Sequence, residues 1–213
     1  MLELYYLKCV DSTHTHLKHH LKTHPYTKPI CFYTQEQTKG IGSRDNNWVG
    51  KKGNLFFSFA LHKSELPKDL PLQSASIYFS YVLKNQLEKL DSKIWLKWPN
   101  DFYIMDHKIG GTITTVQKDL ILCGIGLNLL APSKEFQGNL DIDIVPQAML
   151  ENYFNALQKS DSWKQIFSLY EVEFHKNKKC KTTIDGYKTS LKDAVLHDDG
   201  SITIDNKRVY SLR

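Results

Sequence analysis

The sequence predicts an α+β fold, one main domain with a small all-β tail. Three features carry that prediction. Apolar runs of strand length recur from residues 2–7 through residues 120–130. Between and after them lie apolar stripes at helical spacing. Beyond residue 176 the chain turns to short strand candidates separated by turn dipeptides. At 213 residues it can bury a sizeable core. A boundary at residue 176 gives a main domain of 1–176 and a tail of 177–213, too small to be independent by core size, so it is expected to pack on the first unit.

Residues 2–7 read as the first strand. Asp11-Ser12-Thr13 supplies three residue types that favour helix N-caps, and Leu17 and Leu21 follow at helical spacing. A helix start directly after a strand offers free N–H groups to an anion. His16/His20 and His20/His24 are spaced as metal ligands could be, but no carboxylate or cysteine completes a set, and a solvated helix face is the favoured reading. Residues 30–35 form a second strand. Residues 36–48 are polar and carry Gly40 and Gly42, which reads as a loop whose backbone amides can face a ligand. Nucleotide fingerprints fail there. Asp45 stands where a dinucleotide motif needs its third glycine, and also where a P-loop needs glycine before Gly50-Lys51.

Residues 54–62 read as a central strand and residues 67–90 as one helical stripe of core packing. Ile94, Leu96 and Trp98 then alternate with Lys93, Trp95 and Lys97, and Pro99 stops or edges that strand. A further strand starts at residues 102–104. Asp106-His107 reads as a hairpin turn, after which Lys108 emerges beside Gly110-Gly111. The hairpin gathers Asn100, Asp101, Lys97 and Lys108, a grouping suited to an anionic substrate and a metal ion. Residues 120–130 form a buried strand in which Gly124 and Gly126 share one face, where they form a smooth floor for a flat ligand or mark a bulge. Pro146 opens a helix, and Ser160 or Asp161 caps another. The tail strands are expected at 181–184, 194–197, 201–205 and 208–212, with turns at Asp199-Gly200 and Asn206-Lys207.

The net charge of +5 is mild. Arginine occurs at Arg44, Arg208 and Arg213, so nearly all the positive charge is lysine. Nucleic-acid interfaces lean on arginine forks, which disfavours that class of partner. The four cysteines lack metal-site spacing. Cys9, Cys31 and Cys123 lie in apolar runs and read as buried free thiols of a reducing, cytoplasmic compartment. The N-terminus lacks the basic and cleavage segments of a signal peptide. No apolar run approaches the roughly 18 residues of a membrane span, so no membrane partner is expected.

Taken together, these motifs resemble the biotin–protein ligase family. Lys97-Trp98-Pro99-Asn100-Asp101 is similar to the family's KWPND motif, and Asp11-Ser12-Thr13 to its DST segment. Gln37-Thr38-x-Gly40-x-Gly42 with Trp48 is similar to its ligand loop, Lys108-Ile109-x-Gly111 to its lysine hairpin, and Gly124-x-Gly126-x-Asn128 to its GxGxN strand. Ser211-Leu212-Arg213 resembles the end of its C-terminal barrel. The resemblance implies a mixed or antiparallel sheet flanked by helices, the class II synthetase-like catalytic domain, plus an SH3-like C-terminal β-barrel. It also implies a two-step reaction. Biotin and Mg·ATP give biotinoyl-5′-AMP and pyrophosphate. A lysine amine on a biotin carboxyl carrier protein domain, of acetyl-CoA carboxylase or a similar biotin-dependent carboxylase, then displaces AMP.

The same resemblance implies roles. Lys108 acts on the carboxylate and α-phosphate, Asp101 holds magnesium, and Arg44 joins them as a catalytic residue. Ser12, Thr13, Gln37, Gly40, Ile41, Gly42, Lys108, Gly111, Gly124 and Gly126 would contact biotin. Trp48, Asn100, Asp101, Lys108 and Asn128 would contact ATP, with Trp48 stacking on adenine. The family loop usually reads GRGRRGRxW. Here Ile41 and Ser43 replace the two arginines nearest the glycines, and each lost charge-assisted hydrogen bond is worth roughly 1.5–3 kcal/mol. Weaker retention of the adenylate is expected. The first strand begins at Met1, so a DNA-binding winged helix, and DNA as a partner, are not expected. A homodimer is compatible with the family, whose members differ in this. Lipoate–protein ligase, a non-catalytic biotin or nucleotide module, and a basic nucleic-acid binder are the alternatives. Trp98-Pro99 speaks against the first of these and the scarcity of arginine against the last.

Overall fold

The computed structural model describes residues 2–42, 47–48, 52–130, 138–159 and 161–211. Fourteen strands and four α-helices follow in chain order among these residues: β1 (Glu3–Leu7), α1 (Thr13–Thr23), β2 (Ile30–Thr34), β3 (Gly40–Ile41), β4 (Asn47–Trp48), β5 (Leu55–His62), α2 (Ala75–Glu88), β6 (Trp95–Lys97), β7 (Asp101–Ile104), β8 (His107–Gln117), β9 (Leu120–Leu127), α3 (Pro146–Lys159), α4 (Trp163–Glu173), β10 (Lys181–Ile184), β11 (Tyr187–Ser190), β12 (Val195–Leu196), β13 (Ile202–Ile204) and β14 (Lys207–Val209).

Seven strands make one mixed sheet in the order β1-β2-β5-β9-β8-β7-β6. β1 and β2 run parallel, with α1 as the crossover such a pair needs, and the remaining neighbours are antiparallel. Alternation gives the sheet two unlike faces. Cys31, Tyr33, Phe57, Phe59, Ile121 and Cys123 join the main core with α2, α3 and α4. Leu17 of α1 packs on Phe32, Ala60 and Leu122 of the opposite face, and that face continues into the cavity described below. The predicted α+β class, with helices flanking a mixed sheet, is what forms. No helix among the described residues is long and apolar enough to cross a membrane.

The tail packs on the main sheet and shares its core through Ile184, Leu191, Ala194, Ile202, Ile204 and Val209. Trp98 Nε1 donates to the Gly200 carbonyl at 2.9 Å and Trp163 Nε1 to that of Asp198 at 2.7 Å. Its small antiparallel sheets, β10-β11 and β12-β13-β14, are consistent with the expected SH3-like part. The boundary expected at residue 176 falls inside a 3-10 helix, Phe174–Lys179. That helix has a task in the main domain. Asn177 accepts from Trp98 N at 2.6 Å and donates to the Leu96 carbonyl at 3.2 Å, while Glu173 accepts from Leu96 N at 3.1 Å. These contacts cover the free edge of β6, which would otherwise present unpaired backbone. Asn177→Ala leaves both backbone groups buried and unpaired, and is expected to cost about 1–3 kcal/mol in urea unfolding. A loss below about 0.5 kcal/mol would show that the edge is held by other means.

Several boundaries differ from the sequence reading. The β7–β8 turn is Met105-Asp106, with Met105 at φ 49°, one residue earlier than Asp106-His107. α2 begins at Ala75 rather than near residue 67, because a 3-10 turn at Leu72–Ser74 leads into it. α4 is capped by Ser162, whose hydroxyl accepts from Gln165 N, not by residue 160 or 161. The polar segment 36–48 contains the short ladder β3-β4. In the tail the last turn is Asp205-Asn206, both at positive φ, so β14 starts at Lys207. β11 was not expected; the left-handed Asp185-Gly186 turn before it was the readable signal. Cys9 is exposed, since it lies past the end of β1, whereas Cys31 and Cys123 are buried.

Candidate active site

A cleft opens on the α1 side of the sheet, and strand register explains its floor. One row across the sheet reads Phe56, Gly126, Gly111, Asp101; the next reads Ser58, Gly124, Ile113. All seven residues line the cleft. The three glycines remove side chains where β8 and β9 cross it, and a Cβ at Gly126 would stand 3.2 Å from Trp48 Nε1. Gly110 serves packing instead: a Cβ there would lie 2.5 Å from the Gly126 carbonyl oxygen.

Lys108 is aimed by an irregularity. Residues three apart on a regular strand point to opposite faces. Between Phe102 and Tyr103 the β7–β8 register shifts, with Phe102 opposite Gly110 and Tyr103 opposite Lys108. The bulge turns Lys108 to the side of Gly111, whose added Cβ would meet Lys108 Nζ at 3.7 Å. There Lys108 Nζ lies 2.7 Å from Asp101 Oδ1 and 5.4 Å from the centre of the Trp48 ring. Both charged side chains keep partial solvent access, so the ammonium remains available to a substrate anion.

The other end of the cleft is polar and buried. Ser12 caps α1, accepting from Thr15 N at 3.3 Å. Thr13 donates from its N (2.7 Å) and its Oγ1 (3.0 Å) to Gln37 Oε1, which turns the Gln37 amide nitrogen toward Gly40. Thr13 Oγ1 also meets Ser58 Oγ at 2.9 Å. The segment after Gln37 is fixed to the start of α1 by Thr38 N to Val10 O and Lys39 N to Asp11 O. Ile41, half exposed, and Gly42 complete this rim.

Of the sequence-predicted residues, the structure brings Ser12, Thr13, Gln37, Ile41, Gly42, Trp48, Asp101, Lys108, Gly111, Gly124 and Gly126 into one cleft. Gly40 is buried beside Gln37, tight against the Trp48 carbonyl. Asn100 is engaged elsewhere: its amide donates to the Thr112 carbonyl and braces the hairpin. Asn128 is buried, with its amide donating to Gly138 O at 3.2 Å and its backbone bonded to Ile109 and Leu140. Neither residue lines the cleft among its described residues. Arg44, Ser43, Leu212 and Arg213 lie outside the described residues.

The sequence reading missed Ser58 and His14, both buried and both lining the cleft. Ser58 is a polar residue at an inward position of an apolar strand, which was a usable signal. His14 directly follows the Ser12-Thr13 pair, and nothing in the sequence separates it from the other histidines of α1. Burial holds its pKa down at about 4, with Lys18 adding to the effect.

Magnesium fits this donor set in one way. Among the described lining residues Asp101 is the one carboxylate, and a magnesium ion arriving on a triphosphate needs one or two.

The Biotin/lipoate A/B protein ligase family matches residues 6–128. The chain is 39% identical to biotin acetyl coenzyme A carboxylase synthetase from Helicobacter pylori, solved with bound biotinylated ATP. That match has a TM-score of 0.93 and covers 99% of this chain and 100% of the other. It shares its fold with the biotin protein ligase from Aquifex aeolicus in complex with biotin and ATP, at 23% identity and TM-score 0.77, over 99% and 96% of the two chains. Biotin–protein ligase 2 of Arabidopsis thaliana is 31% identical over 129 residues, 56% of this chain, and the match spans 38% of that longer relative.

Proposed function

The chain belongs to the biotin/lipoate A/B protein ligase family, and from that premise we propose that it adenylates biotin with ATP and transfers it to a lysine of a carrier protein. The observation that carries this reading is one cleft with two unlike ends. A lysine–carboxylate pair stands over a glycine floor at one end, and a buried polar cluster at the other.

Biotin would lie with its ureido ring toward Ser12, Thr13 and Gln37, and its carboxylate toward Lys108. A carboxylate oxygen attacks the α-phosphorus of ATP, and pyrophosphate leaves. Negative charge gathers on the non-bridging oxygens as this happens, and Lys108 Nζ meets it there. Asp101 would hold magnesium, which when bound screens the triphosphate charge. In the second step the uncharged amine of the acceptor lysine attacks the mixed anhydride carbonyl, AMP leaves with the electron pair of the broken C–O bond, and the new amide nitrogen gives up one proton to solvent. No covalent enzyme intermediate is needed; alignment in the cleft lowers the barrier. Trp48, beside Lys108, supports a stacking surface for either ring system. The acceptor is read as a biotin carboxyl carrier domain, of acetyl-CoA carboxylase or a similar carboxylase. The free cysteines suit a reducing cytoplasm.

Mass spectrometry of such an acceptor after incubation with ATP, magnesium and biotin tests the reading. One biotinyl adduct is expected. An unmodified acceptor, with biotin and ATP both bound, points instead to a binding module.

Ile41 is half exposed on the rim, and the resemblance to the family's ligand loop implies an arginine in its place. Ile41→Arg is expected to slow dissociation of biotinoyl-AMP about tenfold or more, from roughly 1.5–3 kcal/mol per charge-assisted hydrogen bond. An unchanged adenylate half-life would remove Ile41 from the account.

A further inference from the structure

His14 is buried in the first turn of α1, and neither ring nitrogen has a hydrogen-bond partner among the described residues. Buried polar groups are nearly always paired, so an orphaned pair of ring nitrogens marks a place where a partner arrives. The ring lines the cleft. A Cβ at Gly124 would stand 3.3 Å from His14 Nδ1 and 3.1 Å from Ser58 Oγ, so the imidazole lies over the glycine floor beside the Thr13–Ser58 hydroxyl pair. Gly124 is two residues along β9 from Gly126, a step of about 7 Å. Gly126 pairs with Gly111, over which Lys108 stands. His14 therefore faces the end of the substrate remote from its carboxylate.

We propose that His14 is a specificity-determining residue, hydrogen-bonding the polar ring of the acyl substrate and thereby rejecting carboxylic acids whose ring is apolar. The inference rests on the adenylating function above and names what the far end of the site reads. The imidazole is held neutral by burial, so it offers one donor and one acceptor. A cyclic urea, with N–H donors and a carbonyl acceptor, satisfies either. The dithiolane ring of lipoate satisfies neither and would leave the histidine buried and unpaired. Sites built to bond a polar group discriminate strongly on this ground.

The test uses the full chain, following ATP–pyrophosphate exchange with biotin and with lipoate. His14→Phe is expected to raise the KM for biotin about tenfold, the equivalent of one hydrogen bond, with kcat at saturation within about threefold. The biotin-to-lipoate ratio of kcat/KM should fall by a similar factor. His14→Gln, which keeps a donor and an acceptor, should restore most of the loss. A histidine that merely packs would leave KM and the ratio unmoved in a folded His14→Phe protein, and that result overturns the proposal. Should His14→Phe not fold, the wild-type imidazole nitrogen resonances decide: a shift on adding biotin but not lipoate supports it, and no shift at saturating biotin refutes it. Absence of biotin-dependent exchange in the wild type overturns the adenylation reading as well, whereas active wild type with silent His14 variants overturns this inference alone.

Discussion

Lys108→Ala is expected to lower the rate of biotin adenylation by about 10²–10³, the loss typical of removing one preorganised charge donor from a transition state. The carboxylate of biotin and the triphosphate repel each other, and Lys108 is the cation that lines the cleft among its described residues. Its ammonium is held over Gly111 by the β8 bulge and by Asp101 at 2.7 Å. Folding should hardly notice the change. The pair is partly exposed, and such bridges contribute about 0–1 kcal/mol. The signature is therefore a collapse of pyrophosphate exchange at nearly constant thermal stability. Lys108→Arg should not rescue fully, because a planar fork does not reproduce a point charge. A Lys108→Ala protein exchanging within about threefold of wild type would remove Lys108 from the chemistry.

The second large effect is on stability. Trp98 is completely buried between β6 and the tail. Its indole donates to Gly200 O, and its backbone N–H to Asn177. Trp98→Ala deletes the side chain and that bond to the tail together, and is expected to cost about 3–5 kcal/mol in denaturant unfolding. Protection of tail amides in hydrogen exchange should fall with it, since Ser74 and Ser211 then carry more of the junction through their bonds to Asp199 and Gln73. A cost near 1 kcal/mol would mean that the tail is held chiefly by its own apolar contacts. The prediction separates two roles within Lys97-Trp98-Pro99-Asn100-Asp101: Trp98 and Asn100 brace, while Asp101 faces the cleft.

That separation shows how far the sequence could be read. Glycines two apart in an apolar strand share one face, because strand alternation is a short-range rule, and the regular register of Gly124 and Gly126 against β5 makes them a bare floor rather than a bulge. The direction of Lys108 was not legible. It depends on a register shift against β7, a property of two strands together. Asn100 and Asn128 resemble nucleotide ligands by motif, and in the structure their amide nitrogens donate to the carbonyls of Thr112 and Gly138. Asparagine serves backbone carbonyls as readily as substrates, and spacing does not say which. His14 was hidden because its burial is decided by the sheet face that α1 covers. β11 was hidden because Tyr187–Ser190 is a mostly exposed strand with no apolar alternation to betray it.

The central claim is that one cleft activates the carboxylate of a polar-ringed acid with ATP. Its most direct test is biotin-dependent exchange of labelled pyrophosphate into ATP by the wild-type chain, with lipoate as comparison. The account predicts exchange that needs biotin and magnesium, is negligible with lipoate, and is lost in Lys108→Ala. Binding of biotin and ATP without exchange, or exchange undiminished in Lys108→Ala, would contradict it.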